Sequence, residues 1–119
     1  MISVKYLQAA YDDYNRKYWQ GKLPKVTIRY GKCITSSDAV AETFSGGPLK
    51  KKYIPYEIVF NRELKETKFE CYTVALLLHE MCHVFLHNTG RVSLSHSRKS
   101  KFHKELKRIY DAGAFLELL

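Results

Sequence analysis

Cysteine is scarce in this 119-residue chain and odd in number: Cys33, Cys71 and Cys82 form no C-x-x-C pair. That argues against a disulfide framework or a cysteine zinc ribbon and suits a reducing, intracellular compartment. No run of eighteen apolar residues occurs, so no membrane span is expected. The opening Met1-Ile2-Ser3-Val4-Lys5-Tyr6 lacks the basic-then-apolar layout of a secretory signal. Repeats and low-complexity tracts are also lacking. Acidic residues are few: 12 Asp and Glu stand against 20 Lys and Arg, a net charge of +8. Such an excess favours polyanionic partners, chiefly nucleic acid, through counterion release; the plainer reading is a basic but unspecialised surface. The length suits one domain over residues 1–119 with a modest core, and a monomer as the default.

What is present is concentrated at His79-Glu80-Met81-Cys82-His83, an H-E-x-x-H set inside an apolar run. On an α-helix two His four apart lie about 40° apart around the axis and about 6 Å along it, so both imidazoles reach one cation. Nitrogen ligands suit Zn²⁺, and Glu80, one position on, reaches a water at that cation without being a ligand. The predicted helix, about 71 to 87, is apolar on nearly every side, which marks a buried central helix. Imidazole and carboxylate groups there need partners, and a metal supplies one. Cys82, across from Glu80, reads as a small core hydrophobe, since a fourth ligand would close the catalytic position.

Around this helix the periodicity predicts an α+β order. Leu7, Tyr11, Tyr14 and Tyr18 define a helix over about 3–19, ended by Gly21 and Pro24, its tyrosine stripe reading as core more readily than as a base-stacking set. Strands are expected at Val26–Tyr30, Ala39–Phe44 and Tyr56–Phe60, with Pro55 marking an edge strand or a strand start. The last two strands form a hairpin whose tip holds Lys50, Lys51 and Lys52 beside Tyr53. A final helix runs from about Arg98 towards Gly113 with Ser95 or Ser97 as N-cap. Strands followed by helices argue α+β. On that last helix Phe102, Leu106 and Ile109 share one face, and Lys101, Lys104, Lys107 and Arg108 lie across from it. Both basic sets read equally well as solvated faces or as phosphate contacts.

A catalytic zinc takes three protein ligands and keeps one position open. His87 is two turns from His79, about 12 Å along the axis, too far to share a metal with both His. Thr89 stands where a metzincin has its third His. His96, in a polar loop able to fold back over the site, is the favoured third ligand; His103 and then Glu105, on the last helix, remain candidates.

The chain resembles the SprT-like family of metalloproteases. The segment from Tyr14 to Pro24, Tyr-Asn-Arg-Lys-Tyr-Trp-Gln-Gly-Lys-Leu-Pro, is similar to the family's opening helix and exit. Ile58-Val59-Phe60-Asn61-Arg62-Glu63-Leu64 is similar to the strand before the metal helix, and Leu77-Leu78-His79-Glu80-Met81-Cys82-His83 matches the active-site helix. The resemblance implies a minimal zincin-like fold: an N-terminal helix, a three-stranded sheet, the H-E-x-x-H helix and a C-terminal helix. It implies zinc on His79 and His83, Glu80 as the acid/base, and protein substrates bound or crosslinked to DNA. The family's third ligand is a later His followed by Gly and, four residues on, by Phe; here Ser97 follows His96 and Phe102 comes six residues on. No zinc ribbon or partner-binding tail of the kind found in some members is read in these 119 residues, so any DNA binding is expected of the domain itself or of a partner. Two rival readings are a peptidase with no DNA link and a non-enzymatic nucleic-acid or partner-binding module holding a structural zinc. The second expects a closed four-ligand site, which Glu80 and the lack of a cysteine pair disfavour.

Overall fold

The computed structural model describes residues 1–31, 41–44, 56–88 and 100–118. In chain order these form α1 (Val4–Trp19), β1 (Val26–Gly31), β2 (Ala41–Phe44), β3 (Tyr56–Asn61), two short 3₁₀ turns (Arg62–Lys65 and Thr67–Phe69), α2 (Glu70–Asn88), α3 (Lys101–Asp111) and a last 3₁₀ turn (Leu116–Leu118).

The first helix starts where Ser3, in extended conformation, accepts the Tyr6 N–H on its hydroxyl at 3.0 Å. Its stripe of Leu7, Tyr11 and Tyr14 is buried, as expected of a core face. The Tyr11 hydroxyl donates to the Pro24 carbonyl at 2.6 Å, which anchors this ring in the fold. The exit is built by Gln20 and Gly21, both at positive φ, and by Asn15. The Asn15 amide exchanges two hydrogen bonds with the Leu23 backbone, at 3.0 and 3.2 Å, and so sets the chain's direction into β1.

The sheet is mixed, with strand order β1-β3-β2. β1 runs parallel to β3, Val26 facing Tyr56 and Gly31 facing Asn61. β2 runs antiparallel to β3, Ala41 facing Phe60 and Phe44 facing Glu57. β3 is therefore central, and Ile58, Val59 and Phe60 are all fully buried. Pro55 lies outside the described residues; of its two readings the edge strand is corrected, since among the described strands β3 lies between β1 and β2. The adjacent antiparallel strands fit the expected hairpin, whose tip, Lys50 to Lys52, lies outside the described residues.

α2 is the centre of the fold, in contact with α1, α3 and β2. Its Leu77, Leu78 and Met81 pack with Leu7 and Tyr11 of α1, Ile58 and Phe60 of the sheet, and Phe102 and Ile109 of α3. Each such side chain contributes roughly 1.5–3 kcal/mol by leaving water. The stretch Thr67–Asn88 reaches the length and apolarity of a membrane span, with mean hydropathy 1.2, yet half of it is buried inside this fold. The cap of α3 differs from expectation. Ser100, extended at ψ 157°, accepts the His103 N–H on its hydroxyl, so the helix begins at Lys101 and not near Arg98. Gly113, at φ 96°, follows its end.

Candidate metal centre

Midway along α2, one helical turn brings three donors together. The ligating atoms of His79, Glu80 and His83 all lie within 4.8 Å of one another. His79 Nε2 is 3.7 Å from Glu80 Oε2, and the two imidazole centroids are 5.1 Å apart with planes at 67°. The helix wheel explains the pairing: residues four apart share a face, and the neighbouring position flanks it. Glu80 is buried at 4 % exposure while both histidines are half-buried, so the imidazole side is the one open to solvent. This donor set suits a divalent cation. Two imidazoles can supply nitrogen, and a carboxylate held this deep in an apolar helix calls for a compensating charge or donors.

Part of that compensation comes from the sheet. The Thr43 hydroxyl on β2 donates to Glu80 Oε1 at 2.7 Å. Among the described residues β2 is an edge strand, so this contact also places a sheet edge beside the donors. Nothing in the sequence singles out Thr43: a polar residue in a short strand is what any solvated strand carries.

The opposite wall is Phe102 of α3. Its ring stacks on His83 at a centroid distance of 4.3 Å and an angle of 26°, and meets His79 at 4.7 Å and 57°. The apolar face Phe102–Leu106–Ile109 was legible as core; that its first member bears on both imidazoles was not.

The other expected donors are distributed as follows. Glu105 is buried at 7 % exposure, with both oxygens turned to α1 and to its own helix. Oε2 accepts the Trp19 indole N–H at 2.6 Å, and the Arg108 guanidinium donates to Oε1 at 2.9 Å and to Oε2 at 3.0 Å. Its candidacy as third ligand is therefore corrected, since the carboxylate is already held. His103 lines a surface groove of about 350 Å³ with Leu106, Lys107, Tyr110 and Asp111, and is not in the donor group. His87 is likewise outside the group, and burial lowers its pKa. Cys82 is fully buried. Burial raises its thiol pKa, reinforced by the Glu105 carboxylate, which keeps it protonated and fits a core role. His96 lies outside the described residues.

The basic residues of α3 divide. Lys101 and Lys104 line a groove of about 250 Å³ with Phe85, Leu86, Glu105 and Arg108. Phe85 and Arg108 continue into a second groove, of about 220 Å³, with Tyr18, Trp19, Gln20 and Lys22. Lys107 lines the His103 groove instead and pairs with Asp111 at 2.6 Å.

An H-E-x-x-H donor group on the core helix of a small α+β fold defines a metallopeptidase-like domain. A sequence profile of the SprT-like family matches residues 7–116, and the chain belongs to that family, which is of zinc metallopeptidase type. A comparison with curated proteins finds no match.

Proposed function

We propose that this chain is a minimal zincin-like zinc endopeptidase acting, as an intracellular monomer, on proteins bound or crosslinked to DNA. The observation that carries the peptidase reading is the convergence of His79, Glu80 and His83 within 4.8 Å. His79 and His83 would hold the zinc, with His96 as the third ligand. Bound there, zinc would polarise a peptide carbonyl and make a water acidic enough to attack near neutral pH.

The chain's own residues supply the remainder. Glu80 accepts the proton of the attacking water at Oε2, the oxygen nearest His79, and returns it to the leaving amine. Thr43 holds the other oxygen, so the carboxylate keeps one orientation through both transfers. β2, an edge strand among the described residues, would offer backbone hydrogen bonds to an extended substrate chain beside these groups. Support for the DNA link is the net charge of +8 and the two adjoining grooves that combine Lys22, Lys101, Lys104 and Arg108 with Tyr18 and Phe85. Cations beside aromatic rings suit single strands, whose phosphates and exposed bases meet both. Lys50, Lys51 and Lys52 add to the basic set.

Zinc analysis of the purified chain, with a protease assay run with and without single-stranded DNA, tests both halves. About one zinc per chain is expected, with cleavage that a chelator abolishes and DNA increases. A chain that takes up no zinc ends the peptidase reading. Zinc-dependent cleavage indifferent to DNA ends only the DNA link.

A further inference from the structure

The third helix is only 11 residues long, and a helix of that length is marginal on its own, so tertiary contacts must set where it sits. Its strongest polar anchor is Glu105. A carboxylate this buried is costly unless its oxygens are fully engaged, and here they take the Trp19 indole N–H and two donors from Arg108. Arg108 also donates to the Tyr18 carbonyl at 2.8 Å and lies 5.8 Å from the centre of the Trp19 ring. The last two residues of α1 thus grip α3 through directed contacts. Apolar packing at position 105 would tolerate sliding; a carboxylate fixed from α1 does not. One turn earlier on α3, Phe102 faces both imidazoles. A slip of one residue would swing that ring by about 100° and take it off the histidines.

We propose that Trp19, Glu105 and Arg108 are a positioning clamp that holds α3 in the register at which Phe102 braces His79 and His83 for metal. A flat ring stacked at 4.3 Å on His83 limits the swing of that imidazole before any ion arrives, so less ordering remains to be done on binding. The clamp touches neither metal nor substrate and acts through Phe102 alone.

This rests on the reading that His79 and His83 hold a metal, and the test separates the two. Zinc affinity is titrated for the parent, Phe102→Leu, Trp19→Phe, the double variant, and Tyr11→Phe as control. Phe102→Leu is expected to bind zinc about tenfold more weakly, the scale of lost outer-shell support. Trp19→Phe, which removes the indole donor and keeps an aromatic ring, should weaken binding in the same direction. Because both act through one contact, the double variant should bind no worse than Phe102→Leu. Tyr11→Phe, which removes the hydroxyl that donates to the Pro24 carbonyl, should lower the thermal midpoint and leave zinc affinity unchanged. In the metal-free chain, NMR should find the His83 ring protons shifted upfield by the Phe102 face, less so in Trp19→Phe and not in Phe102→Leu. Parent-like affinity together with unmoved His83 signals in Trp19→Phe overturns the clamp. So do single losses that add in full in the double variant, or a Tyr11→Phe affinity loss matching that of Trp19→Phe. A parent that binds no zinc sinks the metal reading, and the ring signals then decide the clamp alone.

Discussion

The Thr43 hydroxyl and the Glu80 carboxylate meet at 2.7 Å, tying an edge strand to the middle of the core helix. Valine has threonine's shape without its hydroxyl, so Thr43→Val removes that bond together with the longer contact, 3.4 Å, to the Glu80 carbonyl. A hydrogen bond to a charged group contributes about 1.5–3 kcal/mol. Turnover should fall about tenfold or more with zinc content unchanged. Turnover equal to the parent's would show that the bond has no part in the reaction.

Glu80→Gln keeps size and polarity but cannot accept a proton. Peptide cleavage should drop by about 10²–10⁴-fold, the usual contribution of a general base, while zinc remains bound. A variant as active as the parent would place the base elsewhere.

His79→Ala and His83→Ala should each release zinc, read by metal analysis after dialysis. His87→Ala should retain it, because that ring lies outside the donor group. His96→Ala should lower zinc affinity and activity together. If His103→Ala strips the metal and His96→Ala does not, the third ligand is on α3.

The depressed pKa of His87 has a signed consequence, best read on metal-free protein. Above the ordinary histidine value of about 6.5, folded and unfolded chains both hold it neutral and it contributes nothing to the pH dependence. As the pH falls through that value, the unfolded chain takes up the proton first, so stability is lost on acidification. Urea midpoints measured from pH 8 to about pH 5 should fall less in His87→Gln than in the parent. Identical acid sensitivity would mean that His87 titrates alike in both states.

Binding to single-stranded DNA should weaken steeply with salt, each phosphate contact adding about 0.7 to the log–log slope. Lys101→Glu with Lys104→Glu should reduce both affinity and slope. Lys107→Glu should do less, since Lys107 lines a different groove beside Asp111. No detectable binding at low ionic strength would remove the DNA link and leave the enzyme reading intact.

Much of this architecture is legible because its signals are local. The apolar wheel around His79 and His83 marks α2, and the Gly21–Pro24 exit closes α1. The three strands are visible by composition, but their order is not. Parallel pairing of β1 with β3 depends on contacts about thirty residues apart, as with Val26 and Tyr56, which no window of local periodicity contains. The same holds for site partners that come from other elements. Thr43 and Phe102 reach the donor helix only through tertiary packing, and Glu105 looks like a possible ligand until the Trp19 indole is seen against it. Choosing among neighbouring serines for the α3 cap failed for a smaller reason: several share the composition and only backbone geometry separates them.

Nine of the nineteen residues of α2 are buried, Glu80 among them, and the half-buried His79 and His83 are interleaved with the rest. The helix that would do the chemistry is therefore also the keel of the fold. Changes along it that retune the donors disturb packing in the same stroke, so a lineage built on this domain has little freedom to diversify there. Novelty in what such a domain accepts has to arise from parts that can vary without unseating α2: the edge of β2, and the outward face of α3.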